Sequence, residues 1–268
     1  MNIKSQLNIA AAQFDPILGD VEHNKTQITN LMQQAKGNDL VVFPELANTG
    51  YNFTSASQAF ELSEEISNSS FVEFLVDEAS NNKCSLIAGF CERVNDKLYN
   101  STVFVDASGI KGHYRKVHLF MNEKDIFEYG NLGFPVFDFY DYKLGMLICF
   151  DYMIPECSRV LGLKGADIIC HPSNIVTLYG QKVVPALALM NSVYFVTTNR
   201  VGIDNGLRFN GNSMIVDPRG EILARASETE AEVISCSIIP EKARDKWVTK
   251  RNHVIDDRHP DLYTDLIK

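Results

Sequence analysis

The chain has 268 residues, 45% of them hydrophobic and 22% charged, with a formal net charge of -9. That balance excludes a disordered polypeptide, and the acidic surface disfavours nucleic acid or an anionic membrane as a partner. A small-molecule partner fits better, and the length suits one large α/β domain, the default here over two small ones.

Apolar runs and helical patterns alternate along the chain, the signature of an α/β protein. Leu7 to Phe14 reads as the first strand. In Val21 to Lys36 the apolar residues Ile28, Leu31, Met32 and Ala35 recur at helical spacing, and Gly37 stops the helix. Leu40 to Pro44 is a short strand, and Asn48 to Ser57 is a polar loop. A second helix runs from about Ser69 to Asn81. Ser85 to Glu92 and Tyr99 to Asp106 follow as strands joined through Asn95-Asp96. Lys143 to Phe150 is a buried strand, and a helix begins near Pro155, since proline suits a first helical position. Asp167 to Cys170 is a strand, Val183 to Val193 a helix and Tyr194 to Asn199 a strand. Ser213 to Val216 and Glu221 to Ala226 form a hairpin around Asp217-Pro218-Arg219-Gly220. Residues 241–268 read as an extended, charged tail with a little helix.

No stretch approaches the ~20 apolar residues of a membrane span, and Met1 to Ala12 lacks the core of a secretory signal. A cytoplasmic location follows. The six cysteines (Cys84, Cys91, Cys149, Cys157, Cys170, Cys236) mostly sit in apolar runs without disulfide-like spacing, so reduced thiols are expected. The six histidines show no metal-ligand spacing. No metal site is predicted.

Reactive residue types fall where apolar strands end. Leu40 to Pro44 delivers Glu45, Leu144 to Ile148 delivers Cys149, and Asp167 to Cys170 delivers His171-Pro172-Ser173-Asn174. In open α/β sheets, sites form outside the carboxyl ends of the strands. Taken singly, each residue has a structural reading: an inert core thiol, a solvated glutamate, a basic surface patch at Arg115-Lys116. These features alone reach a cytosolic α/β enzyme with a candidate cysteine nucleophile.

Taken together, the segments resemble the nitrilase (carbon-nitrogen hydrolase) superfamily. Phe43-Pro44-Glu45-Leu46 before Thr49-Gly50-Tyr51 is similar to its glutamate motif, Tyr114 to Phe120 to its lysine motif, and Cys149 to Glu156 to its cysteine motif. Gly19 to Glu22 with Asn24, Leu98 to Ser101 and Gly165 to Asp167 are further matches, in family order from about Leu7 to Ala226. Glu123 resembles a second family glutamate. Tyr114 to Phe120 and Leu132-Gly133-Phe134 look most like the small single-domain archaeal nitrilases, while the chain lacks the extra domain of synthetase glutaminases and the spanning helices of the acyltransferases.

The resemblance implies a four-layer αββα sandwich that dimerises through its outer helices, with residues 241–268 packing on the partner. It implies a hydrolase of non-peptide carbon-nitrogen bonds that acts on a small aliphatic nitrile or amide and releases ammonia. It assigns Cys149 as nucleophile, Glu45 as general base, Lys116 as oxyanion stabiliser with the Phe150 backbone N–H, and Glu123 as a support, with no cofactor. Tyr51 and Asn174 become candidate substrate-binding residues with Phe150. Asp151 and Glu156 read as helix-start residues, and His118 and His171 as structural. An N-carbamoyl amidohydrolase is the nearest alternative; a non-catalytic scaffold homologue and a papain-like protease are more distant ones, disfavoured by the complete Glu45-Lys116-Cys149 set and by the sequence around Cys149.

Overall fold

In the computed structural model, which describes residues 4–267, the first half of the chain builds five strands of one six-stranded sheet and the second half builds another six-stranded sheet. β1 (Leu7–Gln13), β2 (Leu40–Val42) and β3 (Ser85–Val94) run parallel. α1 (Val21–Gln34) and α3 (Ser70–Asn82) connect them, and the short α2 (Ala56–Leu62) precedes α3. β4 (Lys97–Asp106) and β5 (Gly109–Arg115) extend the sheet as an antiparallel meander.

The second sheet repeats this plan. β7 (Tyr142–Met146), β8 (Ile168–Pro172) and β9 (Tyr194–Thr198) are parallel, crossed over by α4 (Pro155–Leu163) and α5 (Gly180–Asn191). β6 (Val136–Phe139) flanks one side; β12 (Met214–Val216) and β13 (Ile222–Arg225) flank the other, past a two-residue ribbon of β10 (Ile203–Asp204) and β11 (Leu207–Arg208). β14 (Glu232–Ile238) returns to pair antiparallel with β1, and a small ribbon, β15 (Trp247–Thr249) with β16 (Asn252–His253), lies in the C-terminal segment. The strand orders are β14-β1-β2-β3-β4-β5 and β13-β12-β9-β8-β7-β6.

The period-two alternation of strands explains why these runs are apolar on both sides. In β1, Leu7, Ile9 and Ala11 face the second sheet, sharing a core with Met146, Ile148 and Phe195. Ala10 and Ala12 face outward, onto Ile28, Leu31 and Met32 of α1 and Phe71 and Leu75 of α3. Cys157, Leu161, Val184 and Leu187 of α4 and α5 cover the second sheet, and Gly145 of β7 is bare because Leu161 occupies the space a Cβ would take. The layers run α, β, β, α, as the resemblance implied.

Helix starts follow local chemistry. Asp20, Ser55 and Ser69 accept backbone N–H groups at the starts of α1, α2 and α3, and Pro155 opens α4. Several elements escape the sequence reading. α2 begins inside the segment read as loop, β5 carries an exposed Lys111 and a half-buried His113, and β14 alternates more and less buried residues at a sheet edge. The strand read as Lys143 to Phe150 stops at Met146, because the chain turns sharply at Cys149. No helix among the described residues is long and apolar enough to cross a membrane.

Candidate active site

The carboxyl ends of β2, β5, β7 and β8 converge at one edge of the stacked sheets, and the buried polar side chains collect there. Glu45 follows β2, Lys116 follows β5, Cys149 follows β7, and Asn174 follows β8. All are almost completely shielded from solvent.

Lys116 is the centre of the arrangement. Its Nζ donates to Oε1 of Glu45 at 2.6 Å and to Oε1 of Glu123 at 2.7 Å. Asn100, from β4, donates a further 2.6 Å hydrogen bond to the same Glu45 oxygen. The other carboxylate oxygen, Oε2, has no hydrogen-bond partner. Burial pushes the Glu45 carboxyl up to about 7 against the opposing charge of Lys116, with the negative charge of Glu123 adding to the rise. Lys116 is desolvated as well, but its two carboxylate neighbours raise its pKa and keep it charged.

Cys149 has φ +41°, a left-handed conformation unusual for a residue with a Cβ. The turn around it is fastened from two sides. Asp151 accepts the backbone N–H of Ile148 at 3.0 Å, the N–H of His118 at 3.0 Å and the hydroxyl of Tyr114 at 2.8 Å. His171 donates from Nε2 to the Cys149 carbonyl at 2.8 Å, a bond that places its ring proton on Nε2. Burial lowers His171 to about 4, so the ring is neutral at ordinary pH. The His118 ring in turn meets the Asp151 carboxylate at 2.8 Å, so both rings are held by partners around the Cys149 turn. The Cys149 thiol is raised well above its usual range, first by burial and then by Glu45, with the Lys116 charge and the backbone N–H of Asn174 opposing. Cys149 is thus held as a neutral thiol within the electrostatic reach of Glu45 and Lys116.

Glu123 occupies a one-turn 3-10 helix, Met121–Asp125, and receives the Tyr51 hydroxyl at 2.5 Å and the Phe120 N–H at 3.2 Å in addition to Lys116. The Tyr51 hydroxyl is thus committed to Glu123, and its ring borders a recess of about 20 Å³ shared with Phe53 and Leu207. A separate chamber of about 120 Å³ opens beside Cys149, and Phe150 and Asn174 line it with Phe120 and Tyr152. Asn174 also donates to the Glu45 carbonyl at 3.1 Å, leaving its Oδ1 without a partner.

The structure thus brings Glu45, Lys116, Glu123, Tyr51 and Asn174 into one connected network beside Cys149, and places Phe150 on the chamber wall. Asn100, although inside a segment that resembled the family, carries no assignment from the sequence; a polar residue in the apolar run Tyr99 to Asp106 is the signal that could have marked it. Among the described residues, the side chains disposed like metal ligands are His118, Asp151 and Cys157, whose ligand atoms lie within 4.8 Å of one another. The Asp151 carboxylate there is already filled by donors from the Cys149 turn and from Tyr114.

In this structure a buried lysine bridges two carboxylates next to a cysteine at a strand end, and comparison with known proteins gives the family. The carbon-nitrogen hydrolase family model matches residues 8–245. The chain belongs to the carbon-nitrogen hydrolase family. It is 42% identical to a protein of Pyrococcus abyssi named nitrilase, covering 96% of this chain and 99% of that one. It is 29% identical to an N-carbamoylputrescine amidase of Solanum lycopersicum, over 97% and 95% of the two chains. Among solved structures, a carbon-nitrogen hydrolase from Helicobacter pylori G27 superposes with a TM-score of 0.88 at 29% identity, covering 98% of this chain and 99% of that one. The family is one of hydrolases acting on carbon-nitrogen bonds, and the αββα sandwich is its fold.

Proposed function

We propose that the protein hydrolyses a small aliphatic nitrile or amide through an acyl-enzyme on Cys149. The observation that carries this reading is the solvent-shielded Lys116 held between Glu45 and Glu123 beside the Cys149 thiol. Glu45, pushed up to about 7, takes the thiol proton as the sulfur attacks the carbonyl or nitrile carbon. Lys116 and the backbone N–H of Phe150 stabilise the negative charge that develops on the substrate; losing one such donor typically costs about 10²–10³ in rate.

From an amide, the tetrahedral adduct collapses to a thioester as the nitrogen leaves with the proton that Glu45 returns to it, giving ammonia. Water then attacks the thioester, releasing the acid and restoring the thiol. From a nitrile, the first product is a thioimidate; one water adds to it and expels ammonia, leaving the same thioester, which a second water hydrolyses to the acid and free thiol. Glu123 fixes Lys116 throughout, and Tyr51 fixes Glu123.

The test is ammonia release from matched amides and nitriles, with intact-mass measurement of the protein during turnover. A covalent acyl adduct on the wild type and neither adduct nor ammonia with Cys149→Ala is the expected result. Full activity of Cys149→Ala would sink the assignment.

We also infer a homodimer. Leu163, Leu189 and Met190 of the outer helices α4 and α5 are 42%, 48% and 44% exposed, and Trp247, Val248 and Leu262 of the C-terminal segment are likewise open. Such apolar exposure suits a surface that a second copy covers, with residues 241–268 packing on it. Light scattering after gel filtration giving a monomer mass would overturn this. All six cysteines are unpaired, the state a reducing cytoplasm maintains.

A further inference from the structure

The chamber beside Cys149 carries a statement about the substrate that the catalytic residues alone do not make. It is lined by Phe120, Phe150, Tyr152, Met153, Ile175 and Val176 together with Asn174, Thr177 and Tyr179, and part of this wall, at Met153 and Tyr179, is open to solvent. None of these is charged. Phe120 and Phe150 lie with ring centroids 5.2 Å apart and form one side. The Tyr152 ring stands edge-on to His171 at 5.8 Å, and its hydroxyl lies 3.4 Å from the Thr177 hydroxyl, so these two polar groups face each other. Asn174 Oδ1, buried without a hydrogen-bond partner, is an acceptor and repels a carboxylate.

Resting on the reading of Cys149 as the acylated nucleophile, we propose that the acyl group this enzyme accepts is an uncharged alkyl chain of about three to five carbons. The size follows from the chamber's volume of about 120 Å³, somewhat below the ~150 Å³ apolar cavity that takes benzene. The charge restriction follows from desolvation. A carboxylate or ammonium seated against this apolar wall gives up part of its water and finds no opposite charge among the lining residues. Succinamate-like acids, N-carbamoyl amino acids and ω-amino amides are therefore excluded, although a relative at 29% identity is named for a carbamoyl diamine.

The experiment measures kcat/KM by ammonia release for unbranched amides and nitriles from two to eight carbons, beside succinamate, 4-aminobutyramide and N-carbamoyl-β-alanine. The neutral series should climb by about fourfold per added methylene, the equivalent of about 0.8 kcal/mol, up to an alkyl chain of about five carbons, and then fall. The charged compounds should lie at least about 100-fold below neutral compounds of equal length. Val176→Phe, which fills the chamber, should move the optimum to shorter chains. A flat series, a charged compound that equals its neutral counterpart, or an optimum unmoved by Val176→Phe would each overturn the proposal while leaving the Cys149 reading intact. Ammonia release from none of the compounds would remove the Cys149 reading and this one with it.

Discussion

The Nζ of Lys116 lies 2.6 Å from Oε1 of Glu45, and neither side chain reaches solvent. A lysine in this position pairs with two buried carboxylates at once, since Glu123 lies 2.7 Å from the same nitrogen. Replacing it with the similarly shaped Lys116→Met leaves those carboxylates desolvated and unpaired. Removing one partner of a buried pair typically costs about 3–5 kcal/mol. Urea unfolding of Lys116→Met should show a loss of that order together with loss of turnover; a variant as stable as the wild type would show that the carboxylates do not depend on the lysine.

The pH dependence follows from the same cluster. In the proposed mechanism Glu45 acts as base only when ionised, and burial raises it to about 7. On the acid side kcat/KM should rise about tenfold per pH unit and level off above about 7, a value that belongs to the coupled Glu45-Lys116-Glu123 cluster rather than to one residue. The sign for stability is the opposite. A carboxyl whose pKa is raised by folding contributes stability below its ordinary 4.5 and loses it as pH rises through about 7. Glu45→Gln should therefore gain in melting temperature relative to the wild type between about pH 5 and pH 8, while losing acylation. An acid limb near 4.5 would contradict the raised value.

Gly89 in β3 lies directly against the backbone of Glu45. A Cβ at this position would stand 2.4 Å from the Leu46 nitrogen and 2.6 Å from the Glu45 Cα, both backbone atoms that cannot rotate away. Gly89→Ala must push the Glu45 backbone outward. A misplacement of about 1 Å in a catalytic group can cost about 10²-fold. The variant should lose kcat by about that factor, most of it in the acylation step measured by single turnover. Unchanged kcat would mean that the Glu45 position tolerates the shift.

Much of this site was readable from the chain, and the reasons are physical. Glu45 and Cys149 end apolar runs, and a buried strand reads as a continuous hydrophobic segment whichever way its side chains point. β5 and β14 were unreadable because edge strands carry polar residues on half-open positions, which blurs the period. Cys149 was readable as a residue but not as a turn, since a left-handed φ leaves no trace in the residue type unless glycine or asparagine supplies it. Asn100 meets Glu45 across 55 positions, and the Tyr51 hydroxyl meets Glu123 across 72. Such pairings arise from sheet register and stacking, which local patterns do not encode.

Arg200 tests how far support for the network extends. Its guanidinium is buried, with 1% of the residue exposed. It pairs with Asp15, donates to Asp204 at 3.1 Å and lies over the Phe209 ring at 4.3 Å. Asp204 in turn accepts the backbone N–H groups of Tyr51 at 3.1 Å and Asn52 at 3.0 Å, so the ion pair fixes the backbone of the residue whose hydroxyl holds Glu123. Arg200→Met strands Asp204 as a buried, unpaired carboxylate and should destabilise the protein by about 3–5 kcal/mol. Asp204→Asn keeps an acceptor for the two N–H groups while weakening the pairing with Arg200, and should cost less. If the pair also sets the Tyr51-Glu123-Lys116 geometry, Asp204→Asn shifts the acid limb of kcat/KM under conditions where the variant is fully folded. A limb identical to the wild type's would confine Arg200 and Asp204 to stability alone.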